Sequence, residues 1–231
     1  LIIKPEKTVI EAEICNTNRS FGSLISGEVA QYYGDAGLDE DTITLKLKGV
    51  GGQSLGAFLN NGITIQIDGI ANDYVGKGMH GGKIIITPKR QGENFSAIGN
   101  TCLYGATGGK LYVSASAGER FAVRNSGCTA VVEGTGDHAC EYMTGGTVVI
   151  LGSTGINFGA GMTGGIAFIY DPKKEFVDRM NQELIKALRI DTDFEEEGKQ
   201  YLKRILKNFY AETGSKKAES ILDNFRSEVR N

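Results

Sequence analysis

The amino-acid sequence predicts an all-β solenoid over residues 1–170, followed by an α-helical extension over residues 171–231. Two observations carry this prediction. A two-residue turn followed by a β-rich run recurs through the first part of the chain at intervals near 19 residues. Composition then changes near Asp171, because 31 of the 33 glycines precede it, whereas 26 of the 53 charged residues lie in the final 61 positions. Two architectures therefore meet at this point.

The repeat is clearest in six turns, whose second residues are Gly62, Gly82, Gly109, Gly127, Gly146 and Gly165. In four of them the first residue is also glycine: Gly81, Gly108, Gly145 and Gly164. The steps are 20, 27, 18, 19 and 19 residues, and the long step contains the polar insertion KRQGENF. A strand, a crossover helix and a second strand need about 30 residues, so the period excludes a βαβ unit. The run ITLKLKG after Thr42 predicts a less regular earlier copy.

A coil of this length can return one strand spacing above its start, so that each coil covers the next. Glycines would then allow corners with positive φ and close passage of successive coils. The alternative is an antiparallel meander with one hairpin per repeat, but irregular second corners such as ANDYVGKG favour the solenoid. Six places before the turns we expect an interior ladder, interrupted once by an arginine: Leu55, Val75, Cys102, Arg120, Ala139 and Phe158.

The extension is expected to form three amphipathic helices. Asp171-Pro172 supplies an N-cap and a first-turn proline for the first helix, and Gly214-Ser215 separates the second from the third. We expect the apolar stripes to pack on the open end of the solenoid, with a docking surface for another domain as the alternative. The stripes are Phe176, Met180, Leu184 and Leu188; Tyr201, Leu202, Ile205, Leu206 and Phe209; and Ala218, Ile221, Leu222 and Phe225.

Composition argues against several classes of protein. A net charge of −3 makes nucleic acid a poor partner. The four cysteines include no C-x-x-C pair and a chain of 231 residues needs no disulfide staples, so a cytoplasmic location is expected. No apolar run approaches the ~18 residues of a membrane span. The chain begins with Leu1, which favours a fragment or a trimmed product.

Two glycine stretches, GKGMHG (76–81) and GAGMTG (159–164), fit the G-x-G-x-x-G dinucleotide fingerprint. That fingerprint requires a strand, a turn and then a helix, with an acidic residue about 20 positions further on. The β-rich runs KIIITP and IAFIYD follow here instead, and no acid stands at the expected distance from Gly81. We therefore assign no cofactor-binding residue.

Other polar residues are candidates for chemistry. Asp137, His138, Cys140 and Glu141 could form a metal or catalytic cluster, but such a site needs converging ligands or a positioned base. Cys140 falls near an interior position, which favours a structural role. A carbohydrate-active solenoid would need clustered acids, and the available ones do not recur at one repeat register. Those acids are Asp68, Asp73, Glu133, Asp137 and Glu141. We assign no catalytic and no metal-binding residue.

Arg120 and Arg124 fall where other repeats place apolar side chains. Leu59, Met79, Ala106, Met143 and Met162 are the counterparts of Arg124. A buried, unpaired arginine is costly, so each must find a partner. We expect an internal ion-pair network with Glu119, Glu133 or Glu141, and the alternative is a contact with a neighbouring domain.

The run from ENFSAIGNTCLYG to GMTGGIAFIYD, with ANDYVGKGMHGGKIIITP upstream and YAETGSKKAESILDNF downstream, closely resembles the C-terminal G-X-G-X-G domain of the glutamate synthase large subunit. The resemblance covers essentially the whole chain and implies a right-handed parallel β-helix. In that family the domain is regarded as structural. Glutamine hydrolysis, ammonia passage and FMN-dependent reduction of 2-iminoglutarate occur in other domains. The N-terminal cysteine nucleophile and the compact cysteine motif of the iron-sulfur cluster have no match here.

The resemblance therefore implies a non-catalytic domain that braces the glutaminase and FMN domains for ammonia transfer, with FMN and an iron-sulfur cluster in the rest of the parent enzyme. Two alternatives come from other classes. One is an assembly subunit of another oxidoreductase, such as the related repeat domain of formylmethanofuran dehydrogenase. The other is a free-standing carbohydrate-active β-helix enzyme.

Overall fold

A computed structural model describes residues 6–183, 185–192 and 196–231. Its strands are β1 (Thr8–Ile14), β2 (Ile43–Gly51), β3 (Ile63–Ala71), β4 (His80–Thr87), β5 (Gly92–Ile98), β6 (Gly108–Val113), β7 (Ala115–Ala117), β8 (Ser126–Val132), β9 (Thr144–Ile150) and β10 (Gly164–Ile169). Its α-helices are α1 (Ser23–Tyr33), α2 (Glu196–Thr213), α3 (Lys216–Asp223) and α4 (Phe225–Glu228). Short 3-10 helices lie at Gly34–Ala36 and Phe176–Asp178.

Eight strands form one parallel sheet in the order β1-β2-β3-β4-β6-β8-β9-β10, and β5 and β7 form a second parallel pair. Sequence neighbours in the large sheet are joined by whole coils rather than by hairpins. The predicted solenoid with a helical tail is therefore confirmed, and the antiparallel meander is wrong. The predicted copy after Thr42 is β2, and β1 adds a further strand that the repeat did not indicate.

After irregularities at the start of three strand pairs, the sheet keeps one register from coil to coil. One inward-facing column consists of Leu45, Ile65, Ile84, Leu111, Ala130 and Val148, all at most 1% exposed. Because these side chains stack directly above one another, each coil covers the apolar surface of the previous one. The insertion KRQGENF lies before and within β5, so the extra residues build the second sheet and leave the register of the first unchanged.

Each coil also contains a five-residue segment, here called the left-handed arc. Its first, third and fifth residues have φ between +54° and +71°. The six arcs are 54–58, 74–78, 101–105, 120–124, 138–142 and 157–161. Only six of these eighteen left-handed residues are glycine. The coil-to-coil contacts must therefore impose this backbone, since a left-handed conformation costs a non-glycine residue roughly 1–2 kcal/mol.

Inter-coil hydrogen bonds supply that stabilisation. In the arc 74–78, the first and fifth amides donate to the following coil: Tyr74 N to Asn100 O and Gly78 N to Tyr104 O, each at 2.9 Å. The third amide, Gly76 N, donates to Leu55 O of the preceding coil, also at 2.9 Å. The same alternation recurs in the arcs 101–105, 120–124 and 138–142. Each of these arcs is thus bonded to both of its neighbours.

The two-residue turns have distinct first and second positions. Gly62, Gly82, Gly109, Gly146 and Gly165 have positive φ, from +68° to +86°. The first-position glycines instead lie against the coil below. A Cβ on Gly108 would come within 2.4 Å of His80 O, and one on Gly145 within 2.3 Å of Ser126 O. Glycine is therefore needed for conformation at one position and for close approach at the other.

Gly127 differs from its predicted place. A Cβ on it would come within 2.1 Å of Thr107 O, as in a first-position glycine, and it is not among the residues with positive φ. Cys128 therefore takes the second position. The buried Asn125 side chain closes this turn, since its Oδ1 accepts from Gly127 N at 3.2 Å and from Cys128 N at 2.9 Å. The repeat arithmetic is consequently off by one residue in this coil.

Both ends of the solenoid interior are covered by chain. At the N-terminal end, Val29 of α1 is fully buried against the core, and Ser26 Oγ donates to Phe58 O at 2.6 Å. At the other end, Asn181 N donates to Phe158 O at 2.8 Å, and the ring of Phe176 meets that of Phe158 edge to face at 5.2 Å.

The predicted first helix of the extension is therefore wrong. Asp171 does cap a turn, because its carboxylate accepts from Glu175 N and Phe176 N. Lys174 then adopts φ +58°, which breaks the helical path, and the chain instead lays Met180 beside Phe158 in a parallel bridge. Of the predicted stripe, Leu184 lies outside the described residues and Leu188 is 47% exposed.

The second and third predicted helices are confirmed as α2 and α3, but they do not pack on the open end. They cover the outer face of the large sheet. This second core consists of Ile85, Tyr112, Val131, Val149, Leu151 and Phe168 from the solenoid side, with Ile205, Leu206, Phe209, Ala218, Ile221 and Phe225 from the helices. The outer face of the sheet is apolar in the middle coils, so it offers the helices a continuous apolar surface.

Two buried polar contacts fix the helices to this face. Lys83, 6% exposed, binds Glu212 of α2 at 2.6 Å and Asp41 at 3.3 Å. Burial alone would lower the pKa of Lys83, but the hydrogen bonds and charges of these two carboxylates raise it. Glu133, 2% exposed, accepts a short hydrogen bond from Ser215, the residue that caps α3.

Gly82 and Gly105 offer a test of the close passage of coils. Both have left-handed φ, but a Cβ on Gly82 would lie 2.6 Å from Ile63 O, whereas one on Gly105 meets no atom within 4 Å. Gly105→Ala should lower the free energy of unfolding by about 1 kcal/mol. Gly82→Ala should cost about 3 kcal/mol or more, because backbone atoms must move as well. Denaturant unfolding measures both, and equal losses would contradict the close passage.

Glu133 should make stability depend on pH. Its burial raises its pKa, against the lowering effects of the Ser215 hydrogen bond and the Lys217 charge. The folded protein then binds this proton more tightly than the unfolded chain does. Stability from this group is therefore greatest at acidic pH and falls as pH rises from the ordinary glutamate value near 4.5 through the raised value.

Thermal melting of the wild type and of Glu133→Gln across pH 4–8 should show the effect. The melting temperature of the wild type relative to the variant should fall with rising pH. Glu11→Gln, at an exposed site on β1, is the control and should run parallel to the wild type. A constant difference between wild type and Glu133→Gln would contradict the raised pKa.

Candidate functional site

The two candidate arginines lie on the surface, and the expected interior position is wrong. Arg120 and Arg124 are the first and fifth residues of their arc, and both are exposed. Phe121 and Asn125, each fully buried, occupy the interior positions instead. This is the same one-residue shift that Gly127 shows. The rest of the predicted ladder is buried as expected: Leu55, Val75, Cys102, Ala139 and Phe158.

The expected internal ion pairs do not form. Among the described residues, neither arginine has an ion pair or a side-chain hydrogen bond. Glu133 lies under α3 on the outer face of the large sheet, bound to Ser215. Glu141 Oε1 accepts from His138 Nδ1 at 2.8 Å and from Asn157 Nδ2 at 3.4 Å. Both guanidinium groups therefore project into solvent.

The group around His138 is partly assembled. His138, Glu141 and Asn157 lie together on the surface of two adjacent arcs. Cys140 does not join them, because it is fully buried and lines the interior. Asp137 Oδ1 instead accepts from Ile156 N of the next coil at 2.9 Å. Among the described residues, no three histidine, cysteine or acidic side chains come together in a way that could hold a metal ion.

The candidate acids are distributed over separate places. Asp73 Oδ1 accepts from Asn100 N at 2.7 Å, which is the contact that Asp137 repeats three coils later. Three coils at a strand spacing of ~4.8 Å separate these two acids by ~14 Å. Glu133 lies on a different face, under α3. These three acids therefore do not form the facing pair of carboxylates that glycoside hydrolysis requires.

The two G-x-G-x-x-G stretches belong to the scaffold. Their first two glycines, Gly76 and Gly78 in one and Gly159 and Gly161 in the other, are the third and fifth residues of arcs. A strand follows each stretch, as the sequence indicated. The ring of Phe58 lies over Gly78, and that of Tyr142 lies over Gly161, where a Cβ would come within 2.7 Å and 2.5 Å of the rings.

Sequence reasoning did not find the alternating left-handed backbone, although the G-x-G spacing was its signal. It also missed the two buried contacts of the tail, because Lys83, Glu133 and Glu212 are too far apart in sequence for a local pattern to connect them.

None of the helices among the described residues combines the length and apolarity needed to cross a bilayer.

Comparison with known proteins gives consistent matches along the chain. A family model described as "GXGXG motif" matches residues 1–231. Ferredoxin-dependent glutamate synthase of Pyropia yezoensis is 52% identical over 93% of this chain. Glutamate synthase [NADH] of Schizosaccharomyces pombe is 50% identical over 94%, and the glutamate synthase [NADPH] large chain of Bacillus subtilis is 48% identical over 96%. The chain spans 10–15% of the length of these relatives.

The four thiols should differ sharply in reactivity. Cys15 is exposed, and its hydrogen bonds with Thr17 lower its pKa. Burial raises the pKa of Cys102 and Cys128 to about 12 and raises that of Cys140 as well. Since the thiolate is the reactive form, iodoacetamide should label one thiol in the native protein and four after unfolding. Mass spectrometry counts the adducts, and Cys15→Ser should leave the native protein unlabelled. Labelling of Cys140 at the rate of Cys15 would contradict the closed interior.

Proposed function

Since this chain belongs to the GXGXG domain family, we propose that it is the non-catalytic structural domain of a glutamate synthase, the enzyme that makes two glutamates from glutamine and 2-oxoglutarate. In this role it braces the glutaminase and FMN domains so that released ammonia reaches the flavin site. Its identity of 47–52% to glutamate synthases along nearly its whole length supports this assignment. FMN and an iron-sulfur cluster would be held by the rest of the parent enzyme.

The bonding pattern of the arcs is the observation that carries a bracing role. A domain that holds two catalytic domains in position must be rigid. In this chain each inner coil is bonded to the coils on both sides along the sheet and again along the arc. The helices α2 and α3 then cross several coils on the outer face and are fixed there by the Glu212–Lys83 and Ser215–Glu133 contacts. Such a domain resists bending, because separating two coils breaks hydrogen bonds both in the large sheet and in the arcs.

The buried side chains also fit a structural role. The interior ladder is apolar, and the interior thiols have raised pKa values that disfavour the reactive thiolate. Polar side chains at the corners, such as Asp73 and Asp137, hold backbone amides of the next coil. The helical tail favours this assignment over an assembly subunit of another oxidoreductase, because its sequence is part of the match to glutamate synthases.

A complementation experiment tests the proposal. The remaining glutamate synthase polypeptide is assayed with and without this chain added in trans, and both glutamate formed and glutamine consumed are measured. The chain alone should be inert, and its addition should raise the ratio of glutamate formed to glutamine consumed, because less ammonia escapes. Heat-unfolded chain is the control. If the remaining polypeptide is equally active and coupled without the chain, and no complex forms, the bracing role is wrong.

A further inference from the structure

We propose that Arg120 and Arg124 form an anchor that binds carboxylates of an acidic segment elsewhere in the same glutamate synthase polypeptide. This inference rests on the proposed function, because it names the contact through which the brace is held. The two residues and Tyr142 of the next coil are here called the arginine face.

Neither arginine side chain forms an ion pair with another described residue of the domain. Two acids of the following coil, Asp137 and Glu141, have backbone carbonyl oxygens that accept from Arg120 N at 2.8 Å and from Arg124 N at 2.9 Å. The carboxylate of Asp137 binds Ile156 N, and that of Glu141 binds His138. Both carboxylates thus have other partners, and the guanidinium groups remain available for an external anion.

The backbone presents the two side chains in the same way. Arg120 and Arg124 have nearly identical φ, +56° and +57°, and both donate their amides to the following coil. Because each amide is bonded to the following coil, both side chains leave the outer surface of the arc from a backbone that is held in place. A preorganised base lowers the entropic cost of binding.

The fold itself does not require arginine at these positions. The fifth position of an arc is glycine in three other coils, at Gly78, Gly105 and Gly161. Arginine there must adopt a left-handed conformation at roughly 1–2 kcal/mol, and it leaves a long charged side chain unpaired. The charged side chains, unlike the backbone, have no partner among the described residues, which leaves them free for a contact outside the domain.

Tyr142 adds an exposed aromatic residue to the arginine face, which gives this surface a composition typical of protein interfaces. It occupies the fifth position of the next arc, and the residue is 54% exposed although its ring lies over Gly161. Arginine and tyrosine are among the residues that contribute most to binding at protein interfaces. Arginine pairs with carboxylates through two parallel hydrogen bonds, which favours an acidic peptide as the occupant. Most of the polypeptide of the relatives lies outside the matched region, and we expect the acidic segment there.

Cross-linking in the full-length enzyme identifies the occupant. A photoreactive phenylalanine analogue replaces Tyr142, which keeps both arginines in place, and mass spectrometry reads the cross-linked peptide. We expect a peptide from outside this domain with Asp or Glu beside the cross-linked residue. The same analogue at Lys207, on the exposed face of α2, is the control and should not capture that peptide. A cross-link to nucleic acid, to a peptide without acids, or only within this domain would overturn the proposal.

Charge reversal tests whether the contact matters. In the full-length enzyme, Arg120→Glu with Arg124→Glu should lower the ratio of glutamate formed to glutamine consumed at least twofold. Arg120→Lys with Arg124→Lys should retain most of it. Lys207→Glu with Arg226→Glu makes the same change of net charge on the tail and should have no effect. A wild-type ratio in the arginine-reversed enzyme overturns the anchor, whereas complementation in trans separately decides whether the domain braces at all.

Discussion

Inter-coil hydrogen bonds along the left-handed arcs are the constraint on which the rest of this structure depends. A parallel sheet alone would leave the coils free to splay on their other sides. The arcs prevent this because alternate amides of one segment donate upwards and downwards, so that successive coils are held at one spacing on the side away from the large sheet. Equivalent interior side chains of successive coils can then stack in columns, from Leu45 to Val148 in the sheet and from Leu55 to Phe158 in the arcs.

The tail depends on the same regularity. The outer face of the large sheet becomes a continuous apolar surface only because consecutive coils keep one register, which brings Ile85, Tyr112, Val131 and Val149 into line. The helix α2 lies across this line, with Phe209 edge to face on Tyr112 at 5.8 Å. The buried charge of Lys83 and the buried carboxylate of Glu133 then select one position of the helices, since an unpaired buried charge is costly.

The sequence was sufficient for the solenoid, its period and two of the tail helices, because all of these follow from local pattern. The prediction was wrong where one side chain stabilises a turn that the repeated sequence pattern stabilises in other coils. Asn125 closes a turn that glycine closes elsewhere, so Ser126-Gly127 resembles the other turns while standing one residue out of step. The helical spacing of Phe176 and Met180 was misleading for a similar reason. These residues pack on the end of the last coil, with only a short 3-10 helix at Phe176–Asp178, and tertiary contact overrides helix propensity there.

The arcs also explain where a scaffold of this kind can acquire a specific function. Their second and third residues face inwards and must be apolar or small, as Phe121 and Ala122 are. Their first and fifth residues face outwards, and the backbone is held there by hydrogen bonds that do not involve the side chain. Glycine, phenylalanine, arginine and tyrosine all occupy the fifth position in one molecule, at the cost of modest left-handed strain. A surface built in this way can change its partner without changing its fold, because each new side chain is displayed on a backbone that neighbouring coils already hold in place.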